Sequence, residues 1–176
     1  TNYENYFIGL DKGIEDVVEK FCTLFNKEYE NYSDILNHVK NFAPKLWEQA
    51  VKSVQGGSLD DRPLYWARNR MQVWLKRNPF FIGLDIDFEK SRISSTLSDL
   101  ITLFEEKSRN YTGIDFSKAP PGAKKVLITG FDPFILNEFD NNFLNNVAYP
   151  NILQSNPSGL VALALANNDQ LGAYIQ

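Results

Sequence analysis

The stretch KKVLITGFDPF, Lys124 to Phe134, decides how the chain is read. Val126 to Thr129 is short, β-branched and apolar without alternation, the pattern of a strand buried on both faces of a parallel sheet. Gly130 at its end raises the question of nucleotide binding. In that chemistry glycines follow the strand as G-x-G-x-x-G, so that bare backbone N–H groups meet a pyrophosphate at a helix N-terminus. Here Phe131, Asp132, Pro133 and Phe134 come next, and no Gly-Lys-Ser/Thr of a P-loop follows. Rings and a proline fill the places a phosphate needs, so nucleotide binding is set aside. Phe131 and Phe134, on either side of the stiff Pro133, either line a small apolar pocket at the carboxyl end of the strand or plug the end of the sheet.

On the C-terminal side a polar loop rich in Asn and aromatics, 137–154, leads to SNPSGLVALALANN. Ser155 or Asn156 caps a helix there, Pro157 occupies an early position, and Leu160, Val161, Leu163, Ala164 and Leu165 make it largely apolar. The final GAYIQ reads as the opening of a second strand. One strand, one helix and half a second strand leave a parallel sheet with open edges, so the expectation is that a longer parent chain or a second chain supplies the rest.

On the N-terminal side SKAPPGAKK is a linker signature, and the chain before it, to about Tyr111, reads as helical. Ile14, Val17, Val18, Phe21 and Phe25 recur at three- and four-residue steps, with Cys22 beside them as a packing thiol. Ser33 is the expected cap of the next helix, in which Pro44 kinks or restarts the chain, and Gly56 and Gly57 mark its end. Asp60 or Asp61 then caps a helix with Pro63 early and Leu64, Ala67, Met71, Trp74 and Leu75 as its apolar face. Its Arg68, Arg70, Lys76 and Arg77, interleaved with Trp66 and Trp74, are either a phosphate-binding patch or a solvated helix face, and the solvated face is the preferred reading. A further helix is expected over Thr96–Arg109, with Leu97, Leu100, Ile101 and Phe104 inward.

Composition bounds the function classes. Of 176 residues 43% are hydrophobic, which is ample for a core and excludes wholesale disorder. A net charge of −4 gives no footprint for nucleic acid or an anionic membrane, and neither is expected as a partner. The single cysteine, Cys22, excludes an internal disulfide and any multi-thiolate metal site. No apolar run reaches the length of a membrane span, and the N-terminus lacks a basic-then-apolar signal. The start at Thr1 implies residues upstream, so a soluble cytoplasmic protein and a secreted one with its signal removed both stay open. Asp85, Asp87 and Glu89 alternate without a glycine turn and read as a solvated edge before a divalent-ion site. NYS at Asn31 and NYT at Asn110 fit the glycosylation pattern.

KVLITGFDPF followed by NPSGLVALAL resembles the N-terminal portion of pyroglutamyl peptidase I, the pyrrolidone-carboxylate peptidases, in which a first strand leads into T-G-F-x-P-F and N-P-S/T opens the first helix. The resemblance covers Lys125 to Gln176, under a third of the chain. It implies an α/β/α fold and a cysteine peptidase that removes N-terminal pyroglutamate from peptides. Phe131 and Phe134 would flank the lactam ring of that substrate, with Gly130, Pro133, Asn156 and Pro157 as structural motif residues. The family's catalytic Cys, His and Glu come later than the matched portion, so no catalytic residue, metal or cofactor is assigned. Ile135 to Ser155 is longer than the family's glycine-containing loop.

The expected fold is therefore α/β overall: a helical region over 1–116, a linker over 117–124, and over 125–176 the first strand and helix of an incomplete peptidase-like sheet. His38 reads as an exposed helix residue and not as a partner for Cys22. The alternative to a hydrolase is a non-catalytic interaction or regulatory module, motivated by the aromatic and arginine content of YWARNRMQVW.

Overall fold

A computed structural model describes residues 3–25, 31–81, 93–130, 155–166 and 171–175. The described chain is mostly helical: α1 (Tyr3–Ile8), α2 (Lys12–Phe25), α3 (Tyr32–Gln55), α4 (Arg62–Lys76), a 3₁₀ turn (Pro79–Phe81), α5 (Ser95–Ser108), β1 (Val126–Gly130), α6 (Pro157–Ala164) and β2 (Leu171–Ile175). The expected α/β/α peptidase-like sheet is not the architecture. Among the described residues β1 pairs only with β2, in parallel, Val126 opposite Leu171 and Gly130 opposite Ile175. β1 is also not buried on both faces, since Val126 is 45% and Leu127 47% exposed.

The reason lies in where α6 spends its apolar surface. Ala162, Leu163 and Ala166 join the same buried cluster as Leu46, Ala50 and Val51 of α3, and Leu64 of α4. α6 therefore completes a helical core as well as covering one side of a two-stranded ladder. The long helix α3 is the hub, packed against α2, α4, α5 and α6. Its length is set by local chemistry. Asn31, and not Ser33, is the cap: its Oδ1 accepts from Asp34 N at 3.0 Å while its Nδ2 donates to Asp34 Oδ2 at 3.0 Å. Gly56 closes the helix, its N–H donating to Lys52 O at 2.9 Å. The helix runs through Pro44 without a restart, because Ala43, Leu46 and Trp47 on either side of it are buried and hold the face against the core.

Both ends of α6 are fixed by side chains from the helical region. At its N-terminus Asn156 N donates to the buried Asp61 Oδ1 at 2.8 Å, and Asn156 Oδ1 accepts from Ser158 N at 3.0 Å and Gly159 N at 3.3 Å. At its C-terminus Gln55 Nε2 donates to Ala166 O at 2.8 Å, with Ala164 O at 3.3 Å. The glycines at the N-terminal end permit the close approach: a Cβ on Gly130 would lie 2.8 Å from Gly159 Cα and 2.9 Å from Ser158 O, both backbone atoms. A Cβ on Gly159 would lie 2.7 Å from Asp61 Oδ2.

His38 is a further correction. It is buried, stacked on Phe21 with ring centroids 4.9 Å apart, and tilted against Phe25 at 4.8 Å and Phe42 at 4.6 Å. Its Nε2 lies 3.3 Å from Phe21 O. Helical phase places it one position before Val39 and three after Ile35, on the inward side of α3.

Three outcomes are expected. Asp61→Ala removes the carboxylate that accepts from Asn156 N, and with it the negative charge at the start of α6, so chemical denaturation is expected to show a loss of about 1–3 kcal/mol. Gly130→Ala must separate β1 from α6 and is expected to lower the melting temperature without removing the far-UV helical signal of α1–α5. For pH, burial holds His38 below its ordinary value of 6.5, with Lys45 acting in the same direction and the Phe21 carbonyl opposing. The unfolded chain thus takes up the proton first. The stability this gives is complete above pH 6.5 and is lost as pH falls from there through the depressed folded value. Denaturation midpoints at pH 7.5 and 5.5 should differ in that sense, and His38→Phe should shrink the difference.

Candidate functional site

Arg70, Val73, Trp74 and Arg77 recur at three- and four-residue steps along α4 and form one stripe. The stripe is one wall of a cleft of about 390 Å³. Glu4 of α1 and Phe25, the last residue of α2, form the other side, and Asn78 and Pro79 close the end beyond α4. Asn78 shapes that end: it is buried, its Nδ2 donates to Phe25 O at 3.4 Å, and its Oδ1 accepts from Phe80 N at 2.9 Å. Two backbone segments far apart in sequence are thereby pinned around the opening.

The four cations that read as one solvated face separate into different roles. Arg68 is 2% exposed and belongs to the interior. Arg70 donates from Nη2 to Glu4 Oε2 at 2.9 Å and also to Asn5 Oδ1, tying α1 to α4. Lys76 is exposed. Arg77 ends α4, its backbone N–H donating to Val73 O at 3.0 Å, while its exposed side chain makes no ion pair among the described residues. Val73 is 42% exposed, and Trp74 beside it is half-buried.

The two residues that nucleophilic chemistry would call on are unsuited to it. Burial pushes the Cys22 thiol up to about 12, with the Arg70 cation opposing and Glu4 adding to the rise, so the thiol stays protonated at neutral pH. Burial holds the imidazole of His38 below its usual range, and the ring is packed among phenylalanines. Among the described residues no group of three or more His, Cys, Asp or Glu is arranged to hold a metal. No described helix is long and apolar enough to cross a membrane.

Of the residues assigned by the peptidase resemblance, Phe131, Pro133 and Phe134 lie outside the described residues, as do Asp85, Asp87 and Glu89. Gly130 is at the end of β1 and gives α6 its close approach; Asn156 is the N-cap and Pro157 the first residue of α6. The N-terminus of α6, where a nucleotide fold would seat phosphate, faces the Asp61 carboxylate, an internal anion. The cleft residues were only partly legible beforehand. The 3.6-residue period puts positions 70, 73, 74 and 77 on one face, but Glu4 and Phe25 join them only through the packing of α1 and α2 on α4.

In comparison with known proteins, residues 8–84, less than half of the chain, match the family model described as PA0049 N-terminal domain. No curated protein and no solved structure matches. The matched family differs from the one that KVLITGFDPF and NPSGLVALAL resemble, and the match lies in the helical region. The resemblance to pyroglutamyl peptidase is corrected accordingly: two short motifs recur, while the fold around them is helical. The match spans α2 to the 3₁₀ turn and includes every residue lining the cleft except Glu4.

The thiol reading has a direct check. Alkylation of the native protein by iodoacetamide at pH 7.5 is expected to be far slower than that of the chain in guanidinium, and to stay slow up to pH 9.

Proposed function

We propose that this protein is a non-catalytic interaction module whose helical region holds a partner segment in the cleft between α1, the end of α2 and α4. The observation that carries the reading is the stripe Val73, Trp74 and Arg77. It sets an exposed aliphatic residue, a half-buried indole and an arginine side by side at the mouth of a concavity. Tryptophan and arginine are over-represented among residues that dominate binding energy, because each combines a large contact area with a directional polar group. A volume of about 390 Å³ lies at the small end of ligand sites and suits one or two side chains of a peptide, with the rest of the segment lying across α4.

The chemistry around the cleft supports binding over turnover. A cysteine hydrolase needs a thiolate with an imidazole in reach. The described cysteine is held protonated, and the one histidine is enclosed by Phe21, Phe25 and Phe42.

Selection of a displayed random-peptide library against the folded protein tests the reading. Enriched peptides are expected to lose roughly tenfold or more in affinity with Val73→Asp or Trp74→Ala, and to keep it with Leu127→Ser on the distant β1. Thermal melts confirm that each variant is folded. Absence of enrichment, or binding unchanged by both cleft variants, would overturn the proposal.

A further inference from the structure

We infer that the segment this cleft takes is acidic: a peptide in which an Asp or Glu adjoins a large apolar side chain, the carboxylate on Arg77 and the apolar group against Trp74 and Val73. The inference rests on the interaction reading above and adds the chemistry of the partner.

Charge complementarity carries it. The cleft already seats one carboxylate on one arginine, since Glu4 Oε2 receives Arg70 Nη2 at 2.9 Å. Arg77 is seven residues further along the same stripe, lines the same cleft and makes no ion pair among the described residues. The chain has 22 acidic residues against 18 basic, so internal carboxylates are in excess, yet none of the described ones is placed on this guanidinium. A cation at the C-terminal end of α4 complements the helix dipole, but the exposed Lys76 next to it serves that role equally well. What distinguishes Arg77 is Trp74 one turn before it and the concavity both line. A guanidinium is a fork that takes a carboxylate by two parallel hydrogen bonds, and a flat ring beside it fixes the neighbouring apolar group.

Short fluorescein-labelled Gly/Ser peptides carrying a single Asp-Phe or Glu-Leu pair, titrated against the whole chain by anisotropy, provide the test. Replacing the acid by Asn or Gln is expected to weaken binding roughly tenfold, and Arg77→Glu to weaken it by at least as much. Arg77→Glu should also reverse the preference towards Lys-Phe peptides, while Arg77→Lys keeps part of the affinity. Binding that depends on Trp74 but is indifferent to the peptide acid and to Arg77→Glu would overturn the inference and leave the interaction reading standing. Failure of every peptide, acidic or neutral, to bind in a Trp74-dependent way would overturn both. A short single-stranded oligonucleotide that competes through Arg77 as well as the acidic peptides do would overturn the assignment to peptide.

Discussion

The helix that joins the β1–β2 ladder to the helical region is α6, and it is held by two side chains from outside itself. Asp61 accepts from Asn156 N at one end, and Gln55 donates to Ala166 O at the other. The signs match the ends. A carboxylate meets the N-terminal N–H groups, and an amide N–H meets the C-terminal carbonyls, so both polar ends of a short apolar helix are satisfied where water is partly excluded. Gln55 ends α3 and Asp61 precedes α4, so the break between those two helices supplies both contacts. The Gly56–Gly57 break is thus a structural joint as well as a helix stop.

The same attachment determines what the β1–β2 pair is. A parallel ladder ordinarily needs helices on both faces. Among the described residues one helix serves the ladder and the bundle at once, and Val126, Leu127 and Val161 stay exposed. Gly130 and Gly159 bring strand and helix backbones together at a distance that no side chain permits. Of the motif residues read by resemblance as a peptidase opening, Gly130 ends β1 against α6, and Asn156 caps α6 on Asp61. The glycine and the Asn-Pro pair serve close packing and capping, which any strand followed by a tightly packed helix requires.

Towards the C-terminal end of α4, α1, α2 and α4 meet around the cleft, and the ion pair of Glu4 with Arg70 links α1 to α4. Burial and exposure divide the arginines of α4. Arg68 faces inward, Arg70 is tied to α1, and Arg77 is left at the rim. Cys22 and His38 lie within the apolar packing of α2 and α3 and are kept in their neutral forms by it. Their chemistry is suppressed by the same core that gives the helical region its stability.

The helices and their limits were legible in the sequence because their causes are local. The period of Ile14, Val18, Phe21 and Phe25, the glycine pair at 56–57, the early Pro63 and the Asn156–Pro157 start each act within one or two turns, whereas the Asp61 side chain does not cap its own helix and accepts from Asn156 N instead. The cap of α3 falls on Asn31 and not on the expected Ser33, because both residues have the same capping chemistry and lie two positions apart. The large error concerned α6 and β1, whose apolar sequences fit a buried sheet and a helical core equally well. A hydrophobic stretch specifies that it is covered and says nothing of by what. That choice, the inward turn of His38, and the meeting of Glu4 and Phe25 with the Arg70–Arg77 stripe are long-range contacts between separate helices, and only the tertiary structure decided them, because packing selects among partners that local sequence leaves equivalent.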